Sequence, residues 1–272
     1  MGAAHLGVMR ALSEWGITPT VCVGASAGGL VAGGLAAGVP LPDLTAFYAH
    51  VCAVPHWYEL QAVAAEEWSA FTSGDRLGVA TLAPALRTLT AHAAPTVAQW
   101  KPGYGVVTVD LAEEGGLCTL SSTLALGIHW TTAEALQATS ALPGLFAGVC
   151  RDGGLYVDGG LQDNLPTGIA CNLGADRVLS VNVGGSLPMP PLPARLTLAE
   201  VVQRAVAYGT ATLTAESNTP QQLPVLCVNP PIPAGAGLLS FGDFAALVQA
   251  GYGAAVARRA EIEAFAAGKA AA

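Results

Sequence analysis

The chain has 272 residues and a formal charge of −8, with a pI near 5.0. It offers no basic surface to a phosphate backbone, which argues against a nucleic-acid partner. An anionic membrane would not attract it either, so any peripheral lipid contact has to be apolar. Apolar residues make up 52% of the chain and charged residues 11%, which demands a sizeable core and excludes wholesale disorder.

The reading is one domain over residues 1–265 and a disordered tail over 266–272. The six cysteines, at 22, 52, 118, 150, 171 and 227, form no CxxC pair and have no histidine at zinc spacing. Reduced core thiols in a cytoplasmic protein are therefore expected. No secretory signal is visible at the N-terminus. The uncharged run from Gly16 to Pro42 is broken by glycines and prolines. It reads as a strand, a tight turn and a buried helix rather than a membrane span.

In chain order, Leu6, Met9 and Leu12 recur at helical spacing and predict a first helix over Gly2 to Trp15. Thr20 to Gly24 suits a buried parallel strand. A small-residue helix opens just after Ser26 and continues through Leu30 to Ala37. From Leu41 to about Lys101 the pattern is helical and aromatic, with Phe47, Tyr48, Trp57, Tyr58, Trp68 and Phe71 serving as core or as a cap over an acyl site.

Strands are expected at Gly105 to Asp110 and Leu117 to Ser121. Thr131 and Glu134 have capping-box spacing, placing a helix over Thr132 to Ser140. Val149-Cys150-Arg151 and Leu155-Tyr156-Val157 flank Asp152-Gly153-Gly154, a hairpin turn. A helix over Leu165 to Leu173, a strand over Arg177 to Val183 and a loop over Leu187 to Pro193 follow. The last elements are a helix over Leu198 to Glu216, a strand at Pro224 to Val228 and a closing helix over Phe241 to Phe265. Strands alternating with helices imply an α/β class, a three-layer α/β/α sandwich with a largely parallel central sheet, to which the hairpin makes a local antiparallel addition.

Gly24-Ala25-Ser26-Ala27-Gly28 has the GxSxG spelling of a nucleophile elbow between a strand and a helix. The glycines on either side relieve crowding in so tight a turn. The helix start gives a positive end for a developing oxyanion. A serine needs a base, and a late histidine is the usual one, but the histidines stand at 5, 50, 56, 92 and 129. A carboxylate held within roughly 3 Å of the hydroxyl can take its place. Asp152-Gly153-Gly154 and Asp158-Gly159-Gly160 share the same spelling. The first is explained by turn geometry. Asp158 ends an apolar strand, where sites of open α/β sheets collect, and is preferred.

Ser26 in its GxSxG setting followed by Asp158-Gly159-Gly160 resembles the Ser–Asp dyad of the patatin-like phospholipases. Three further blocks are similar to bacterial members of that family: Gly2-Ala3-Ala4-His5-Leu6-Gly7, Ser140-Ala141-Leu142-Pro143-Gly144-Leu145-Phe146, and Asp158 through Pro166. The resemblance extends from Gly2 to the closing Leu238 to Tyr252 segment and is weakest over residues 41–100. It implies an α/β/α fold and hydrolysis of acyl esters of lipids. Ser26 would form an acyl-enzyme, Asp158 would act as general base, and no metal or organic cofactor would be needed. His5 would be a packing residue.

The family normally opens with a strand and a glycine-rich loop ending in Arg-Gly, whose N–H groups form the oxyanion hole. Here Met1 stands in the arginine's place, and Gly2 is the remnant. Gly2 and the backbone of Ala27 are the oxyanion donors that the resemblance leaves. Loss of one such donor costs roughly 10²–10³ in rate. The alternative reading is therefore a catalytically impaired relative that binds lipid or a protein partner. An esterase triad using His129 or His92 is a third reading. Nucleotide binding by glycines 24–34 fails for want of a phosphate-loop lysine.

Overall fold

The computed structural model describes residues 2–53, 82–112, 116–143, 146–184, 205, 223–232 and 243–268. The aromatic stretch around Trp57, Tyr58, Trp68 and Phe71, the proline-rich loop, and nearly all of the helix expected over 198–216 lie outside the described residues.

The chain begins with α1 (Ala3–Glu14), β1 (Cys22–Ala25), α2 (Ser26–Ala36), α3 (Leu41–Ala53) and α4 (Ala83–Leu89). Then come β2 (Tyr104–Asp110), β3 (Leu117–Leu120) and α5 (Thr132–Thr139). The hairpin β4 (Val149–Arg151) and β5 (Gly154–Asp158) leads to α6 (Thr167–Asn172) and β6 (Val178–Val181). The described chain ends with β7 (Val225–Val228), α7 (Phe244–Ala257) and α8 (Arg259–Ala266). The uncharged run is indeed strand, turn and helix. No described helix is long and apolar enough to cross a membrane.

The α/β class holds, but the sheet is mixed rather than largely parallel. β1 runs parallel to β2, and among the described residues β6 runs parallel to β7 in a second, two-stranded sheet. β3 and β5 both pair antiparallel with β2, and β4 pairs antiparallel with β5. The link between β2 and β3 is too short for the crossover that parallel neighbours need. Asp152 and Gly153 both have positive φ, +49° and +83°, the signature of a type I′ turn that folds β4 back on β5.

Helices cover both faces of β2. Val106 points at α2, where a carbon added to Gly33 would lie 2.8 Å from its Cγ1. The next residue along the pleat, Gly105, looks the other way onto Leu173 at the end of α6. The small residues of α2 let it lie close to the sheet. Beneath it Leu6, Leu30, Leu44, Leu86 and Leu136 form one buried cluster. Val8, Leu12, Val228, Ala255 and Ile262 form another, between α1, β7 and the closing helices.

Two further expectations need correction. The closing helix is two helices, broken at Arg258, whose φ is −116°. Its guanidinium reaches back to the Cys227 carbonyl and pairs with Glu261 at 2.7 Å. Those bonds fix the backbone between α7 and α8. The cysteines, all free, are half-buried rather than deep in the core, and Cys150 is exposed on the short strand β4.

Candidate active site

The register along β2 builds the site. β1 pairs with Tyr104 to Val107, and β5 pairs with Thr108 to Asp110. β3 overlaps both sets, at Val106 to Val109. A strand has only two edges, so β1 and β5 must share the edge that β3 leaves. They run toward each other there, and their carboxyl ends, Ala25 and Asp158, meet opposite Val107 and Thr108. Asp158 is thus at a strand's carboxyl end, as expected, but it arrives from the opposite direction to the strand that carries Ser26.

Ser26 is the first residue of α2 and has φ +54°. A left-handed backbone at a non-glycine residue stores about 1–3 kcal/mol of strain. The elbow's demand for glycine is unequal at its two flanks. A carbon added to Gly24 would collide with the backbone of Gly28, whereas one added to Gly28 meets the His5 ring at an ordinary 3.5 Å. The N–H groups of Ser26, Ala27 and Gly28 open the helix and have no intrahelical acceptor. No side chain caps them from Ala25. Gly2 packs so closely on Ala27 that a side chain there would collide with the Ala27 Cβ, so both oxyanion candidates sit beside the elbow.

Asp158 is 2% exposed. Its N–H donates to the Ala141 carbonyl at 3.1 Å, and its Oδ1 accepts the Gly160 N–H at 2.8 Å. Oδ2 is buried and has no hydrogen bond of ordinary geometry. Ser26 directly follows Ala25, whose strand end meets that of Asp158 along β2. Burial pushes the Asp158 pKa up to about 6, and the Ser26 hydroxyl and the Gly160 N–H hold it from rising further. Catalytic hydrogen bonds are often long or poorly aligned before substrate arrives. Gly159 lies against the Val107 carbonyl with no room for a side chain, and a carbon on Gly160 would be 3.1 Å from Asp158 Oδ1. The two glycines let the aspartate's turn close onto β2.

The other candidates fall elsewhere. Asp152 projects from the hairpin turn and faces Arg151 at 3.5 Å, its side chain 81% exposed. His92 and His129 lie in loops with exposed side chains, which gives the triad reading no support. His5 is the described histidine nearest the elbow. Burial lowers its pKa to about 4, so its ring is neutral at pH 7. Tyr48 in α3 was legible only as one aromatic among several. Its hydroxyl donates a short hydrogen bond, 2.5 Å, to the Ala27 carbonyl, a role that helical spacing cannot announce.

A family model described as "Patatin-like phospholipase" matches residues 1–102 and 130–171, which include both Ser26 and Asp158. Among curated proteins, the chain is similar to Lysophospholipase nte1 of Aspergillus fumigatus, with 31% identity over 146 residues. Lysophospholipase NTE1 of Coccidioides immitis is also 31% identical over 146 residues, and Lysophospholipase nte1 of Aspergillus oryzae is 32% identical over 141. Each alignment covers 43% of this chain but only 9% of the relative. With the family model matching more than half of its length, the chain belongs to the patatin-like phospholipase family.

Proposed function

We propose that this protein is a serine lipid acyl hydrolase in which Ser26 is the nucleophile and Asp158 the general base. The observation that carries the reading is the meeting of a strained serine and a buried carboxylate at the junction of β1 and β5. In the first half-reaction Ser26 Oγ attacks the ester carbonyl while its proton passes to Asp158. The first N–H groups of α2, that of Ala27 among them, face the developing oxyanion, with Gly2 beside them. The tetrahedral species collapses, the alcohol leaves with the proton from Asp158, and an acyl-serine remains. Water then attacks it, again giving its proton to Asp158, and the fatty acid departs as Ser26 recovers its hydrogen.

The substrate class follows from the family and from the lysophospholipases among its relatives: phospholipids or lysophospholipids, met by apolar contact rather than by charge. Release of fatty acid from lysophosphatidylcholine micelles tests this, with Ser26→Ala and Asp158→Asn purified alongside. The parent should release fatty acid, and each variant should lose roughly 10²–10⁴ in rate. A parent no faster than Ser26→Ala would favour the impaired, lipid-binding relative instead.

A further inference from the structure

Thr139 closes α5 and is wholly buried. Its hydroxyl donates to the carbonyl of Val107 at 2.6 Å. On one side it is packed against the helix of the nucleophile: a carbon added to Gly29 would lie 2.7 Å from Thr139 Cγ2 and nearer still to Oγ1. On the other side the Val107 carbonyl it holds presses on Gly159, the residue after Asp158. Val107 is also the residue of β2 that pairs with Ala25, next to the Thr108 that pairs with Asp158. Two residues beyond Thr139, the Ala141 carbonyl takes the N–H of Asp158 itself. The end of α5 therefore touches the elbow helix, the strand junction and the aspartate together.

We infer that Thr139 is a positioning residue that sets the separation between Ser26 and Asp158. It does so through its bond to the Val107 carbonyl and its contact with Gly29. The inference rests on the dyad proposed above. A shape-matched valine keeps the packing but removes the donor, leaving the Val107 carbonyl free to shift and Gly159 with it. Serine keeps the donor and loses only a methyl group.

The test is the pH dependence of ester hydrolysis by Thr139→Val and Thr139→Ser, with Ser26→Ala, Asp158→Asn and melting curves measured in parallel. Misplacement of reacting groups by about 1 Å costs on the order of 100-fold. Thr139→Val should therefore lose about tenfold or more in kcat, with KM changed less than roughly twofold. Its acid limb should move to higher pH, because the serine hydroxyl no longer helps to hold the carboxyl down. Thr139→Ser should restore most of kcat and the parent's limb. A parental kcat in Thr139→Val overturns the inference. So does a fall in kcat that merely tracks a fall in melting temperature with the limb unmoved. If Thr139→Val does not fold, Gly29→Ala pushes on the same spacing from the other side, and a parental kcat there overturns it equally. Retained activity in Ser26→Ala or Asp158→Asn would sink the dyad and this inference with it. Their inactivity beside an unaltered Thr139→Val would sink this inference alone.

Discussion

Ala25 and Asp158 end two strands that run toward each other along one edge of β2, opposite its consecutive residues Val107 and Thr108. That head-on meeting brings Ser26, which follows Ala25 directly, up to a carboxylate 132 positions later in the chain. It also buries the carboxylate at the seam, where its charge is costly.

The cost has a sign that can be measured. Burial raises the Asp158 pKa from the ordinary 3.8 to about 6, above the unfolded value. The stability associated with its proton is therefore fully present below about pH 4 and is lost as pH rises through 6. At pH 8 the buried charge costs on the order of 3 kcal/mol. Asp158→Asn removes the charge and keeps the acceptor for the Gly160 N–H. It should be inactive yet more stable than the parent at pH 8 by about 1–3 kcal/mol in urea unfolding, with the gain vanishing near pH 4. A variant destabilised at both pH values would contradict this.

The same shift sets the rate profile. Only ionised Asp158 can take the Ser26 proton, and His5, with its pKa near 4, is not the group that titrates there. kcat/KM for a short-chain ester should climb about tenfold per unit up to pH 6 and flatten above it. A limb centred near 7 and abolished by His129→Ala would point to a histidine base instead.

Strain at Ser26 predicts an order of stabilities. At φ +54° alanine is as strained as serine, whereas glycine is not. Ser26→Gly should be more stable than Ser26→Ala by about 1 kcal/mol, although both lack the nucleophile. Equal melting temperatures would mean that the elbow relaxes without glycine.

The crossing of α1 and α7 depends on two glycines. A carbon on Gly7 would lie 2.5 Å from the Tyr252 nitrogen and collide with the Val248 carbonyl. One on Gly251 would lie 2.7 Å from the Ala4 carbonyl carbon and collide with its oxygen. Gly251→Ala should cost about 1–3 kcal/mol or more by overpacking. Because Gly2, which caps α1, is pressed against Ala27, the displaced helix should also lower kcat. Retained stability and rate would show that the two helices separate freely.

What the sequence reveals is the local part of this design. The GxSxG elbow, the Asp-Gly turn and the capping box are readable because each depends on residues a few positions apart. The capping box forms in full: the Thr131 hydroxyl accepts the Glu134 N–H, and the Glu134 carboxylate takes the Thr131 N–H. The direction in which β5 meets β2 is not readable, because an apolar run such as Leu155-Tyr156-Val157 fits either orientation. The break at Arg258 is hidden for a similar reason. A helical pattern runs through it, and one of the bonds that hold the Arg258 side chain goes to the distant Cys227 carbonyl. Tyr48 and Thr139 act through hydroxyls on backbone carbonyls 21 and 32 positions away, and nothing in their neighbours' spelling marks them.

If Ser26 is a nucleophile activated at this junction, covalent trapping will show it most directly. The protein is treated with a fluorophosphonate probe and digested, and the modified peptide is found by mass spectrometry. One adduct is expected, on Ser26, which forms in the parent, is lost in Ser26→Ala and slows sharply in Asp158→Asn. An adduct on another residue, or none on folded parent protein that still hydrolyses ester, would contradict it.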